Sequence, residues 1–215
     1  MMLDPMRRCG VLLVLFLAAC GGDDGGSPGG DGGRNPPGDG SNPPGDGGNP
    51  PGDGAPADVP GGVGEPPEME GMTLLHNQVR AMVDTATPLP PLTWNNDLAA
   101  TAAAWIATCT NTDGFTNILD HNPNRSQGHP YYVGENIYAS GGQATPQGAV
   151  QLWAAEKANY TYPDGYSAQT GHYTQLVWRT TLEVGCAVGN CPNIQYGNTI
   201  VCNYGPGGNT GGAPY

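Results

Sequence analysis

Gly171-His172-Tyr173-Thr174-Gln175-Leu176-Val177-Trp178 and, further on, Cys202-Asn203-Tyr204-Gly205-Pro206-Gly207-Gly208-Asn209 are the most informative stretches of this chain. Residues 174–178 mix β-branched, aromatic and aliphatic side chains, the composition of a short strand. His172 stands where that strand opens, after a polar, glycine-containing run. Residues 183–188 and 200–204 read as two more short strands.

Upstream of these the pattern turns helical. Leu75, Val79, Met82 and Val83 recur at helical spacing, with Thr73 as N-cap, until Pro88, Pro90 and Pro91 end the run. A second helix starts at Asn95 or Asn96, with the stripe Leu98, Ala102, Trp105, Ile106 and Cys109. Residues 110–144 are polar and rich in Gly and Asn, and read as loops. Thr145-Pro146 is an N-cap followed by proline at the first helical position, and it opens a third helix to about Tyr160. Glu156 falls near the core-facing stripe of that helix, where a carboxylate needs a partner. Trp94, Trp105, Trp153 and Trp178 read as core anchors, and His76 as a helix–helix or loop contact. Helices first and strands last give an α+β fold, with helices packed on a small antiparallel sheet.

The N-terminal third is different in kind. Residues 1–20 place two arginines before the apolar run 11–17, too short to span a bilayer, and close on Leu17-Ala18-Ala19-Cys20. This reads as an export signal ending in a lipobox, with Cys20 as the acylated N-terminus of the mature chain. Residues 21–70 form a Gly/Pro/Asp-rich disordered tether with three NPPGDG repeats, which have no apolar position and favour polyproline II and turns. The formal net charge of −12 sits mostly there: ten acids face Arg34 alone, whereas residues 71–215 carry eight acids against Arg80, Arg125, Lys157 and Arg179. No basic stripe exists for a phosphate backbone, so nucleic acid is excluded as a partner. Residues 71–215 form one domain. Its cysteines, Cys109, Cys186, Cys191 and Cys202, lack the tight paired spacing of zinc ribbons and read as two disulfides.

The two stretches quoted first resemble the two signatures of the CAP superfamily, the cysteine-rich secretory and pathogenesis-related group one proteins. His76-Asn77-Gln78-Val79-Arg80, Leu92-Thr93-Trp94, Gly134-Glu135-Asn136-Ile137, Val184-Gly185-Cys186-Ala187 and the closing Pro214-Tyr215 fit the same family in the same order. The resemblance covers about residues 73–215 and implies a CAP-type α-β-α sandwich, here as a bacterial lipoprotein-type member. Four cysteines allow three pairings. Cys186 and Cys202 lie on strands expected to be neighbours, which leaves Cys109 for Cys191, in agreement with the family.

The resemblance also implies a cleft tetrad of two histidines and two glutamates. Its glutamates fall on Glu135 and Glu156, and one histidine on His172. The other is His121, which follows an apolar pair as the family's does, with His129 as the alternative. Three chemistries stay open for such a cluster: a zinc site on the histidine pair, a general acid–base pair, or a hydrogen-bonded cluster that holds loops together. No nucleophile motif is present. Tyr131, Tyr132 and Tyr138 are placed to line a lipid or glycan groove. The expectation is therefore a binding module outside the cytoplasm, for a lipid or a surface partner. It is tied to the membrane by acylation, in the periplasm, on the cell surface or released. A metal-dependent hydrolase is the alternative.

Overall fold

The computed structural model describes residues 62–112 and 117–215. The stretch read as an export signal, the three repeats and Cys20 lie outside the described residues. Four helices, α1 (Met72–Ala81), α2 (Asn96–Ile106), α3 (Pro146–Ala155) and α4 (Gly171–Leu176), surround four strands, β1 (Thr93–Trp94), β2 (Gly134–Ser140), β3 (Glu183–Asn190) and β4 (Asn198–Gly205). The sheet runs β1-β3-β4-β2. Three strands are antiparallel, but the two-residue β1 pairs parallel with β3, so the sheet is mixed rather than wholly antiparallel.

Alternation along the strands sorts the core into two faces. Ile200, Cys202 and Tyr204 of β4, with Val184 and Cys186 of β3, pack with residues from α1, α3 and α4, chief among them Met72, Trp153, Tyr173 and Leu176. Val201, Ala187 and Ile137 meet Ala102 and Ile106 of α2. The result is the α-β-α sandwich. Helix α2 approaches β3 closely: a side chain on Gly185 would strike the backbone of Asn95 and Ala99, and one on Gly189 would strike Ile106. One disulfide joins Cys186 to Cys202 directly across β3 and β4, with the Cα atoms 4.1 Å apart. The other joins Cys109, just past α2, to Cys191, just past β3.

Local signals set two helix starts. The Asn95 side chain accepts from the Asp97 and Leu98 amides, and Thr145 accepts from that of Gly148. Helix α1 starts differently. Thr73 lies inside it; the cap position is Gly71, in the left-handed region at φ 84°, and the Glu65 carboxylate accepts from the Gly71 and Thr73 amides at 2.8 and 2.6 Å. Met69, within a short 3-10 turn (Pro67–Met69), is fully buried.

The buried face of α1 is also more polar than the spacing of its apolar residues predicts. Met72, His76, Asn77, Val79 and Arg80 are buried, whereas Met82 is exposed. Arg80 gives its Nε and Nη2 to the Pro90 carbonyl and its Nη1 to those of Leu176 and Trp178, at 2.7–3.0 Å. A buried cation is tolerated only with such partners, and burial still lowers its pKa to about 10.

Four further expectations are corrected. The strand read at 174–178 is instead helix α4 with its following turn: Tyr173 to Leu176 are all buried, without alternation. Residues 134–140, read as loop, form the edge strand β2, paired with β4 from Gly134↔Tyr204 to Ser140↔Asn198. Helix α3 stops at Ala155, and Glu156 begins a 3-10 turn (Glu156–Asn159). Trp153 and Trp178 are buried, but Trp94 and Trp105 are half-buried, each donating its indole N–H, to Asn96 Oδ1 and the Asp120 carbonyl respectively.

Candidate functional site

Glu156 leaves the last turn of α3 pointing at the start of α4. Its Oε2 accepts from the backbone amides of His172 and Tyr173, at 2.8 and 3.1 Å, and its Oε1 accepts from His172 Nδ1 at 2.6 Å. One carboxylate thus caps α4 and fixes the imidazole of its second residue. A negative charge at a helix N-terminus is favourable, and at the other end Arg80 sits on the Leu176 carbonyl, so α4 is held between opposite charges that match its dipole. The His172 ring lies nearly parallel to that of Trp153, 6.2 Å between centroids.

A second pair stands across the same cleft. Glu135, on β2, has a fully buried side chain; its Oε1 accepts from His121 Nδ1 at 2.7 Å and from the Asn122 amide at 3.0 Å. Glu135 Oε2 is buried and makes no hydrogen bond within the described residues. The His121 side chain is 59% exposed. In both pairs a carboxylate accepts from Nδ1, so each neutral ring keeps its Nε2 lone pair. His121, Glu135 and His172 line an open cleft of about 320 Å³, together with Arg125, Tyr132 and Tyr166. Glu156 stands behind His172, outside the lining.

The other histidines lie elsewhere. His129 Nε2 is 3.1 Å from the Thr101 hydroxyl, on α2, and its ring stacks on Tyr131, so it is not part of this cluster. Of the three tyrosines read near the cleft, only Tyr132 lines it. Tyr131 donates to Glu183 Oε2, and burial with that carboxylate raises its pKa to about 12. Tyr138 packs against the core cluster that holds α3.

His76 belongs to a buried chain of hydrogen bonds that the sequence reading missed. Its Nδ1 donates to the Met72 carbonyl at 2.8 Å, so its Nε2 accepts from the Tyr204 hydroxyl at 2.9 Å. Tyr204 in turn accepts from Asn136 Nδ2, which also donates to the His172 carbonyl, both at 3.2 Å. Desolvation lowers the His76 pKa to about 4 and pushes Tyr204 well above its ordinary value. The signal was available in the i, i+4 spacing of Met72, His76 and Arg80, which shares one helix face.

Helices on both faces of this four-stranded sheet, the two disulfides and the paired histidines and glutamates set the terms for comparison with known proteins. The family model of the cysteine-rich secretory proteins, CAP, matches residues 73–204. The chain belongs to that family. GLIPR1-like protein 1 of Mus musculus is 34% identical over 163 residues, which cover 71% of this chain and 66% of the mouse protein. Among solved structures, venom allergen-like protein 4 of Schistosoma mansoni superposes with a TM-score of 0.53 at 28% identity, over 67% of this chain and 91% of that one. A crystal structure of NaASP2 with Zn2+ superposes with a TM-score of 0.52 at 25% identity, over 67% and 82% of the two chains. This CAP domain thus has the fold of secreted relatives, and its two disulfides fit an oxidising compartment outside the cytoplasm.

Proposed function

We propose that this CAP domain is a non-catalytic binding module outside the cytoplasm, with the cleft between His121–Glu135 and His172–Glu156 as its ligand site and a lipid or surface molecule as its partner. The observation that carries the reading is the pair of buttressed imidazoles: Nδ1 of each is tied to a carboxylate, and neither Nε2 has a partner within the described residues. Rings oriented in this way are prepared to accept a hydrogen bond or to ligate an ion. The second reading is a metal-dependent hydrolase, favoured by the zinc in the NaASP2 structure. Among the described residues no group of three or more His, Cys, Asp or Glu is arranged to hold a metal, so a closed structural zinc site does not fit. His121 and His172 are the residues that would hold an ion, and zinc there would polarise a bound carbonyl or activate water.

Calorimetric titration of zinc into the full chain, beside a His172→Ala control, tests the ion. Ester, peptide and glycan probes test turnover. The binding reading expects no turnover; turnover that disappears in His172→Ala would replace it with the hydrolase. Zinc binding, where present, weakens in acid because protons compete for the imidazole lone pairs.

The reading extends to a bacterial lipoprotein tethered through acylated Cys20. Its support is the arginine-led apolar run closing on Leu17-Ala18-Ala19-Cys20, followed by a polar tether. Intact mass of the mature chain should show an acylated N-terminus at Cys20, lost together with membrane partitioning in Cys20→Ser. A different, unmodified N-terminus refutes the anchor.

A further inference from the structure

Two exposed tyrosines stand beside the histidine–glutamate pairs. Tyr132 is 49% exposed and Tyr166 55%, and both line the cleft, from different segments of the chain. An exposed ring contributes little to a core, yet Tyr132 is held firmly. Arg125 Nη2 donates to its hydroxyl at 2.9 Å, and the guanidinium carbon stands 5.5 Å from the ring centroid. Arg125 is itself fixed, by Nε to the Val133 carbonyl at 2.9 Å and Nη1 to that of Asn122 at 2.8 Å. The Gly207 amide donates to the Tyr132 carbonyl at 2.6 Å, and a side chain on Gly207 would collide with the Cδ1 and Cε1 atoms of the ring. An arginine and a glycine are thus committed to presenting one aromatic ring at the mouth of the cleft.

The chemistry between the rings narrows the ligand. The lining offers two Nε2 acceptors, from His121 and His172, and Arg125 has five N–H donors of which these bonds use three. An acyl chain would cover those groups and leave them unpaired, at a cost. A pyranose does the reverse: its C–H faces lie flat on tyrosine rings, and its rim of hydroxyls both donates to imidazole and accepts from guanidinium. We infer that the cleft binds an oligosaccharide, with Tyr132 and Tyr166 as stacking platforms and the two imidazoles as hydroxyl acceptors. This rests on the reading of the cleft as a ligand site and names its ligand class.

The test is calorimetric titration of the full chain with cellotetraose, chitotetraose and maltotetraose, with cis-parinaric acid as a lipid probe. Saccharide binding is expected for at least one of the three sugars. Tyr132→Ala and Tyr166→Ala should each weaken it about tenfold, the effect of losing one stacking contact, while the Phe variants at both positions keep it within about threefold. Circular dichroism of each variant separates lost binding from lost fold, and the Phe variants keep the test alive if an Ala variant unfolds. Three results overturn the inference: no sugar bound at millimolar concentration, binding indifferent to both tyrosines, or uptake of parinaric acid without sugar. In any of them, zinc binding that is lost in His172→Ala would leave the cleft standing as a site and remove only the saccharide. Absence of zinc, sugar and parinaric acid binding alike would remove the cleft.

Discussion

The two histidine–glutamate pairs make the same bond in opposite settings. Glu156 accepts three hydrogen bonds, two of them from the first amides of α4, and its histidine lies against the buried Trp153. Among the described residues Glu135 accepts two and keeps one buried oxygen unbonded, and its histidine is largely in solvent. One pair is therefore built into the start of α4, and the other joins a buried carboxylate to an exposed ring at the rim. A shared geometry does not imply a shared role, and substitution should pull the two apart.

The largest effect is expected well behind the cleft. Arg80 anchors the far end of α4, and Arg80→Met leaves the carbonyls of Leu176 and Trp178 without their donor in a buried place. The loss should be about 3–5 kcal/mol of unfolding free energy in urea denaturation. A loss under about 1 kcal/mol would mean that the His172 side is no more embedded than the His121 side.

Next comes acid. The chain from His76 through Tyr204 and Asn136 ends on the His172 carbonyl, so the same pair depends on a buried neutral imidazole. Burial lowers the His76 pKa to about 4 in the folded chain, against 6.5 for a free imidazole. Between these values the unfolded chain binds a proton that the folded chain does not. The contribution is therefore full above pH 6.5 and is lost as pH falls toward 4, by about 3 kcal/mol in all. His76→Gln should flatten that part of the stability–pH curve between pH 7.5 and 4.5. An unchanged slope would show that His76 is not the group that titrates.

The direct contrast is smaller. Glu156→Ala removes a helix cap and a charge-assisted pair and should cost about 2 kcal/mol. His121→Ala removes an exposed partner and opens Glu135 to water, so less than about 1 kcal/mol is expected. Equal costs would refute the asymmetry. A ligand that protects the His121 ring from exchange in NMR while leaving the thermal midpoint of Glu156→Ala unresponsive would sharpen it.

Where the sequence could be read, it was local. Asn95 and Thr145 announce their helices because a cap is decided within three residues. The CAP motifs gave the order of layers and the candidate tetrad residues. Residues 174–178 misled because their strand-like composition is overruled by Glu156 and Arg80, which reach α4 from distant segments. Strand β2 misled for the mirror-image reason: a polar stretch with glycine becomes a strand when β4 offers its edge. Arg80 and His76 look like surface residues on a helix until the carbonyls and hydroxyl that receive them are known. In these four cases the deciding partner lies far away in the chain.

The start of the described chain bears on mechanics. Glu65 binds two amides at the head of α1, and Met69 is fully buried between that clamp and the helix. Any tension arriving along the chain from before residue 62 meets these two fastenings first. Only after a carboxylate has released both amides and a buried methionine has been drawn out does the load reach α1, which carries Arg80 and His76. The described domain thus has a sacrificial joint ahead of the elements that shape its cleft.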